Sequence, residues 1–415
     1  MQGKSAVAKA KADKPITSNQ SMETHIMKLT IDSKNLTDTL KAVKPWVSTK
    51  CRIPIMEYIR IDADNHGAHF TAYEFNSGAA IRFPINADSY PSGYGTCIVR
   101  FRDLQDVTNK STGEVAIEFD DIAKLTVSYD STSFILKAKS VGEFVNLPNA
   151  WYAQTSDGAC KESFGTRFSE FVRAVDHVHI ATEANSRKNF TSGILFDVNP
   201  GESFAVGTDG QRLHFVSLSG VIADSGWIAL VDADIVRKIS RLNVDANDPI
   251  QFGRRYIQNS AGDDTCMFAF TVDDIEGFVP IMDTPYPEWR KVIPDNQPGA
   301  LEVASDVLYK SIDRLSPICK ADDGRDYVKL SGNGTLTISA HAESKGDGQS
   351  TLKCDHVSGN DLLVGLNYSF MLDTLKLHKG EIVRLTYADA LDPVMIRSAH
   401  DETRTSILMP VRLPE

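Results

Sequence analysis

Long apolar runs and paired cysteines are both missing from this sequence of 415 residues. No apolar stretch approaches the roughly 20 residues that a helix needs to span a bilayer. The six cysteines stand singly, without the Cys-X-X-Cys pairs or the histidine spacing of a zinc site. Isolated cysteines of this kind are typical of reduced, buried thiols in a cytosolic protein. The sequence therefore predicts a cytoplasmic chain with no membrane span and no structural zinc.

Catalytic signatures are also absent. The sequence contains no Gly-X-Ser-X-Gly, no phosphate-binding Gly-X4-Gly-Lys-Ser/Thr, no His-Glu-X-X-His and no Gly-X-Gly-X-X-Gly. His177 and His179 flank one residue of a predicted helix, so they face different sides and make a poor pair of metal ligands. Three carboxylate pairs lie in Gly- and Asp-rich turns, where solvated loop residues are far more common than ligands: Asp120-Asp121, Asp263-Asp264 and Asp322-Asp323. We predict no enzyme, no cofactor and no metal.

The composition that remains is that of a globular protein, with 42% hydrophobic and 24% charged residues. Its length suggests two to four domains. Residues 1–26 differ from the rest, because they are rich in Ala, Lys, Ser and Thr and contain almost no large apolar residue. We predict that they form a disordered extension and that the folded body begins at Met27.

From Met27 onward the chain repeats one order of elements three times. Each repeat has two amphipathic helices, with apolar residues at i, i+3 or i+4 spacing, among short alternating strands. This pattern predicts an α+β fold of three similar domains, each with two helices packed on antiparallel sheets, at residues 27–151, 152–294 and 295–415. The predicted helices are Asn35–Lys44, Arg102–Lys110, Arg167–Ile180, Asp234–Leu242, Asp306–Leu315 and Tyr368–Leu377.

The stretch Val206–Phe215 is the most distinctive local feature of the second repeat. Asp209-Gly210 separates two β-like runs, and glycine tolerates the positive φ that a tight hairpin turn requires. The stretch therefore predicts a β-hairpin.

Positive charge is concentrated around the predicted helices, although the whole chain carries −11. Six stretches around them sum to +10, which leaves −21 for the remainder: Leu36–Arg52, Arg100–Lys110, Arg167–Lys188, Asp234–Arg241, Val307–Lys320 and Tyr368–Lys379. Several basic residues fall opposite the apolar stripes: Lys41, Lys44, Arg237, Lys238, Arg241, Lys310 and Arg314. If the helices share one surface, that surface is suited to sequence-independent attraction of phosphates.

Four stretches together resemble one family, the bacterial β sliding clamps, which are the β subunits of DNA polymerase III. Met27–Asp32, followed by a helix and Arg52-Ile-Pro-Ile, resembles the opening of that family. Thr208–Leu213 is similar to its Thr-Asp-Gly-His-Arg-Leu, and Tyr286–Pro294 to its Phe-Pro-Asp-Tyr-Arg-Arg-Val-Leu-Pro. Met409–Leu413 is similar to its terminal Met-Pro-Met-Arg-Leu. The four occur in consistent order from Met27 to Leu413.

The resemblance implies a head-to-tail homodimer that closes into a ring of six domains, with helices lining a central hole and sheets outside. It also implies that duplex DNA passes through the hole without sequence preference. The implied partners are a replicative DNA polymerase, a clamp loader and other proteins that carry short clamp-binding peptides. The implied location is the cytoplasm, at the nucleoid, away from membranes.

The resemblance carries three sets of residues over to this chain. The partner-peptide groove would comprise Thr191, Thr208, Gly210, Gln211, Arg212, Leu213, Pro287, Val292, Leu408, Met409, Pro410, Val411, Arg412 and Leu413. The DNA-binding positions would be Lys50, Arg52, Asn185, Lys188, Asn189 and Phe190, with Arg237, Lys238 and Arg241 from a helix. The dimer interface would use Phe101, Leu104, Val107, Ile318 and Cys319. Gln211, Val411 and Thr191 depart from the usual His, Met and Leu of the family.

Two other interpretations stay open from the sequence. The altered groove residues and the long N-terminal extension would suit a processivity or decoy factor of a phage or plasmid replication system. A hydrolase with an unrecognised site among the scattered carboxylates is the alternative from a different class.

Overall fold

The computed structural model describes residues 27–48, 51–64, 67–86, 91, 93–120, 123–145, 163–183, 189–222, 225–258, 264–321, 326–332 and 334–414. The predicted N-terminal extension, residues 1–26, lies outside these ranges. The structure confirms the predicted α+β class, with six α-helices on antiparallel sheets in the described ranges. The elements recur in three units, each of which has two helices.

The first unit contains β1 (Met27–Asp32), α1 (Ser33–Val43), β2 (Tyr58–Asp64), β3 (Gly67–Glu74), β4 (Ala79–Ile85), β5 (Gly95–Arg100), α2 (Phe101–Thr108), β6 (Glu114–Asp120), β7 (Lys124–Tyr129) and β8 (Thr132–Lys139). The second contains β9 (Ser163–Arg167), α3 (Phe168–His179), β10 (Gly193–Asn199), β11 (Glu202–Thr208), β12 (Arg212–Leu218), β13 (Val221–Ile222), β14 (Trp227–Asp232), α4 (Ala233–Ile239), β15 (Pro249–Gln258), β16 (Asp264–Val272) and β17 (Ile275–Pro280).

The third unit contains β18 (Gly299–Ala304), α5 (Ser305–Cys319), β19 (Tyr327–Gly332), β20 (Thr335–Ala342), β21 (Gly346–Lys353), β22 (His356–Ser358), β23 (Leu362–Asn367), α6 (Tyr368–Leu377), β24 (Ile382–Tyr387), β25 (Val394–Ser398) and β26 (Arg404–Leu408). Short 3-10 helices occur at Lys44–Trp46, Pro54–Glu57, Val141–Glu143, Phe190–Ser192 and Trp289–Val292.

The helices form where the apolar spacing predicts them. On α1 the stripe of Leu36, Leu40 and Val43 is buried, and Asp32 caps the helix by accepting hydrogen bonds from the first-turn amides. Asp232 caps α4 and Asn367 caps α6 in the same way. The caps fix where these helices begin, because each side chain binds an amide that lacks a partner within the helix.

Two sheets continue from one unit into the next. A thirteen-stranded sheet crosses from the first unit to the second where β4 pairs with β17. A nine-stranded sheet crosses from the second unit to the third where β12 pairs with β26. The second crossing aligns Arg212 with Leu408 and Leu213 with Ile407. Residues that lie almost two hundred positions apart in the sequence therefore become neighbours beside the hairpin.

Candidate functional site

The hairpin between β11 and β12 is confirmed, and its turn is held by side chains. Gly210 has a φ of +87°, which favours glycine at this position. The Asp209 carboxylate accepts hydrogen bonds from the amides of Gln211 and Arg212, both at 2.9 Å. The Thr208 hydroxyl donates to the Arg212 carbonyl at 2.6 Å. This turn fixes the direction in which Arg212 and Leu213 leave it.

An apolar groove of about 230 Å³ lies beside this hairpin. Its walls come from four parts of the chain: the segment before β10, the hairpin, the segment between β17 and β18, and the end of β26. The lining residues are Phe190, Thr208, Gly210, Arg212, Leu213, Pro287, Trp289, Val292, Ile407 and Met409. A small apolar cavity with a few fixed polar groups is suited to binding the apolar side chains of a short peptide.

Trp289 fixes the floor of the groove. It is buried, and its indole N–H donates to Asp197 Oδ2 at 3.1 Å. Its ring packs against Phe204 and Phe215, with centroid distances of 5.2 Å in both cases. Arg290 forms an ion pair with the same Asp197 carboxylate and stacks over the Trp289 ring at 4.4 Å. The segment that precedes the third unit is thereby anchored to the second unit.

Arg212 lines the groove, but its charge is already balanced within the chain. Its Nε donates to Asp209 Oδ2 at 2.9 Å, and its Nη1 lies 3.4 Å from Asp373 Oδ2 on α6. Its guanidinium also stacks over the ring of Phe370 at 4.2 Å. Arg212 therefore joins the hairpin of the second unit to a helix of the third.

The other predicted groove residues take several positions. Met409 and Val292 are partly exposed at the groove, whereas Leu408 is buried beside it. Gln211 is exposed at the turn, and its carbonyl accepts from the amide of Met409 at 3.0 Å. Pro410, Val411, Arg412 and Leu413 do not line the cavity; they run along β23, where the Val411 amide donates to the Gly365 carbonyl at 2.8 Å.

Phe190 lines the groove where the sequence suggested Thr191. Thr191 is buried and its hydroxyl donates to Glu183 at 3.1 Å, so it is absent from the groove wall. Phe190, predicted to contact DNA, lines the groove, and its ring packs edge-on against Tyr286 at 5.9 Å. The Asn189 side chain caps the short helix that holds this pair by accepting from the Phe190 amide at 2.8 Å.

The remaining predicted DNA-binding residues are described only in part. Lys50, Asn185 and Lys188 lie outside the described residues. Arg52 and Asn189 are exposed. Arg237, Lys238 and Arg241 lie on α4 or in the turn after it, on one wall of a cleft that α1 completes.

The structure locates the surplus of positive charge beside the helices and not within them. The six helices contain nine Lys or Arg and nine Asp or Glu, so together they carry no net charge. The +10 found around the predicted helices arises from the residues that flank them. A charge sum taken over sequence stretches could not make this distinction, because it depends on where each helix ends.

Three of the five predicted interface residues are buried within the single chain. Phe101, Leu104 and Cys319 have 2%, 0% and 1% of their surfaces exposed. Their side chains pack into the cores of their own units, which corrects the assignment to a subunit surface. Val107 and Ile318 are half-buried and pack against the same cores.

Two open strand edges, one in the first unit and one in the third, were missed by the sequence reasoning. β8 pairs with β7 from Thr132 to Lys137, but with β5 only at Ala138 and Lys139. Its outer residue Ile135 is 68% exposed. β21 is an end strand of the four-stranded sheet in the third unit. The available signal was the three consecutive apolar residues Phe134, Ile135 and Leu136, because successive strand residues face opposite sides and Ile135 is therefore left on the exposed one.

Metal and membrane sites were also sought in the described part of the chain. There, no three His, Cys, Asp or Glu side chains are placed to hold a metal ion together. No helix among these residues has the length and apolar character to cross a membrane.

Two models of one protein family match the chain in order. The model for the N-terminal domain of the DNA polymerase III beta subunit matches residues 27–148. The model for the C-terminal domain of the same subunit matches residues 290–412. Together the two matches cover more than half of the chain.

Relatives of similar length match nearly the whole chain. The beta sliding clamp of Salmonella typhimurium is 22% identical over 391 residues, which cover 93% of this chain and 100% of the relative. The beta sliding clamp of Staphylococcus aureus is 20% identical over 383 residues, or 91% of this chain and 96% of the relative.

Solved structures share the fold. The DNA polymerase sliding clamp from Bacillus subtilis has a TM-score of 0.79 at 21% identity, covering 94% of this chain and 100% of that one. The sliding clamp from Pseudomonas aeruginosa bound to griselimycin has a TM-score of 0.79 at 19% identity, covering 93% and 100%.

Proposed function

Since the chain belongs to the DNA polymerase III beta subunit family, the beta sliding clamps, we propose that it is a DNA sliding clamp. The observation that carries this proposal is the match of both family domains, in order, on a chain with the clamp fold. A clamp holds a polymerase on duplex DNA by encircling it, so it needs neither a catalytic site nor a tight DNA site.

The proposed ring consists of two copies of the chain joined head to tail. The open edge of β8 in one copy would pair with β21 of the other, where both edges have free backbone groups. Such an interface joins two different surfaces and closes after two steps. Ile135, exposed on β8, and the half-buried Ile318 on α5 supply apolar side chains near these edges. A β-strand interface replaces the helix contacts expected from the sequence.

The proposed partners bind at the groove beside the hairpin. Its lining is apolar, and its polar groups are already hydrogen-bonded within the chain, so it favours a short peptide with apolar anchor residues. Such a peptide would belong to a replicative polymerase, a clamp loader or another replication protein. We propose that the protein acts in the cytoplasm at the nucleoid, with a mechanical rather than a catalytic role.

Sedimentation equilibrium of the full chain tests the ring. We expect a mass twice the 45.7 kDa of one chain at micromolar concentration. Replacing Ile135 by Asp should shift the protein toward monomer, because a charge would be buried in the interface. Ile228→Asp is the matched control, since Ile228 is also an exposed strand residue, at 55%, away from both edges. A wild-type monomer, or a dimer that tolerates Ile135→Asp, would contradict this assembly.

A further inference from the structure

A second cavity, of about 490 Å³, adjoins the groove beside the hairpin. It lies between the segment that precedes β18 and the loop that joins β24 to β25. Val292 and Met409 line both cavities and are 37% and 41% exposed, so they form the wall that the two cavities share. An extended peptide that fills the groove can therefore continue across this wall into the second cavity.

Hydrogen bonds within the chain fix the two sides of the second cavity. Gln297 Nε2 donates to the Pro393 carbonyl at 2.6 Å, and Gln297 Oε1 accepts from the Thr386 hydroxyl. In the loop, the Asp392 amide donates to the Asp389 carbonyl at 3.1 Å, and the Asp389 amide donates to Asp392 Oδ2 at 3.2 Å. The cavity therefore needs little rearrangement to accept a ligand.

The second cavity combines an apolar lining with a charged rim. The rim carries two carboxylates, Asp295 and Asp392, and one cation, Lys291. Lys291 already forms an ion pair with Glu288, so the rim keeps an excess of negative charge. The apolar lining consists of Val292, Ile293, Pro294, Ala388, Pro393 and Met409.

Both rim carboxylates remain available to an incoming cation. Asp295 is exposed, and its side chain has no ion pair or hydrogen bond among the described residues. Asp392 uses one oxygen to hold its own turn, and its other oxygen has no partner in the described ranges. A cation that binds here therefore displaces no existing ion pair.

A lysine or arginine side chain is suited to both parts of the second cavity. The hydrocarbon stem of such a side chain packs on apolar surface while its charged end stays in water. A leucine would cover the apolar lining and leave the carboxylates without a cation. An acidic side chain would be repelled by them.

We propose that the second cavity binds a lysine or arginine that flanks the apolar anchor residues of a partner peptide, and that Asp295 and Asp392 select it. The inference rests on the proposed function, because it specifies the partner of the same groove. Apolar contacts in the groove hold the peptide, and the basic flank determines which apolar peptides the protein prefers.

Peptide selection followed by affinity measurement tests this inference. Random short peptides displayed on phage are selected on the full chain, and we expect lysine or arginine to be enriched beside the apolar residues. The best peptide is then synthesised with a fluorescent label and with Lys, Ser or Glu at the enriched position. Fluorescence polarisation gives its affinity for the wild type and for two double variants.

The two double variants remove the same charge at different places. Asp295→Asn with Asp392→Asn neutralises the rim and keeps a side-chain oxygen that can hold the turn at residue 392. Glu202→Gln with Asp283→Asn is the control, because both carboxylates are exposed and line neither cavity.

We expect the change from Lys to Ser in the peptide to lower its affinity for the wild type about 3- to 10-fold, because exposed ion pairs are individually weak. The change to Glu should lower the affinity further. Both differences should shrink as sodium chloride is raised, vanish in the rim variant and persist in the control.

Apolar peptides selected without a basic flank, or the same preference for Lys in both double variants, would overturn the inference and leave the groove in place. A selection that yields no apolar peptide, or apolar peptides that still bind Met409→Asp, would contradict the proposed groove and the inference with it.

Discussion

Arg212 shows how one residue of the groove serves two units. It is held by Asp209 of its own turn, by Asp373 of α6 and by the ring of Phe370. An arginine in this position orders the groove wall, and it does so with its charge already balanced. We infer that partner peptides gain affinity mainly from apolar contacts beside it.

Gly210→Ala tests the local cost of the turn. A Cβ at this position meets no atom within 4 Å, so only the positive φ of +87° opposes the change. We expect a loss of about 1 kcal/mol in the free energy of unfolding, measured by urea denaturation. Gly201→Ala is the control, because it has the same open surroundings and a φ of +90°. A much larger loss at Gly210 alone would show a constraint beyond backbone strain.

Met409→Asp tests the groove itself. Met409 is 41% exposed at the groove, so a carboxylate should leave the fold intact and oppose an apolar ligand. We expect peptide affinity to fall about 10- to 100-fold, which corresponds to about 1.4–2.7 kcal/mol. Fluorescence polarisation with a peptide from the partner polymerase measures this. Unchanged affinity would place the peptide elsewhere.

The sequence predicted the roles of some single residues and not of others, for a physical reason. The hairpin turn follows from Asp209-Gly210, because few residues other than glycine accept the positive φ that such a turn requires. Leu104 was correctly recognised as an apolar helix position, yet that pattern cannot tell a residue facing its own core from one facing a partner. Phe190, and not Thr191, lines the groove because of how one short 3-10 helix is oriented, and no sequence period specifies that orientation.

At the scale of elements, α3, β12 and α6 meet at the seam behind the groove and bury three histidines. The rings of His177 and His214 lie 5.2 Å apart, and those of His177 and His378 lie 6.0 Å apart. Burial lowers the pKa of His177 from 6.5 to about 3, and burial also lowers the pKa values of His214 and His378. All three rings are therefore neutral in the folded protein near pH 7.

This seam predicts a loss of stability in mild acid. Above the unfolded pKa of 6.5, a histidine whose pKa is lowered in the folded state does not reduce the free energy of unfolding. Below 6.5 the unfolded state binds a proton that the folded state does not, so the free energy of unfolding falls as the pH drops from 6.5 toward 3. For His177 we expect about 2 kcal/mol less stability at pH 5 than at pH 7. Urea denaturation of wild-type protein and His177→Gln at both values measures this. If the variant is as pH-sensitive as the wild type, His177 is not responsible.

Elements were more predictable than residues. The six helices follow from buried apolar stripes, although α5 continues through Pro317 to Cys319, beyond its predicted end. Several strands were missed, among them β5, β9, β14, β18, β21 and β23. The sequence of β21, Gly346–Lys353, is polar and contains two glycines, so it lacks the alternation that marks a half-buried strand. Its pairing with β20 is set by the sheet and not by its own side chains.

At the scale of the whole molecule, two continuous sheets join the three units in series. At the first seam one pair of strands aligns three residue pairs beside an open cleft, whereas at the second one pair of strands aligns five residue pairs beside a buried polar core. The helices are neutral as a group, and the surplus of positive charge lies at their ends. A clamp that relies on encirclement needs no stronger attraction, because a closed ring cannot leave circular DNA.

Retention on nicked circular DNA tests the central claim most directly. The full chain is loaded by its clamp loader, the complex is isolated by gel filtration, and half of it is then linearised with a restriction enzyme. We predict that the protein stays with the intact circle and leaves the linear molecule by sliding off its ends. Equal retention on both forms would show binding by affinity, and would contradict a ring around DNA.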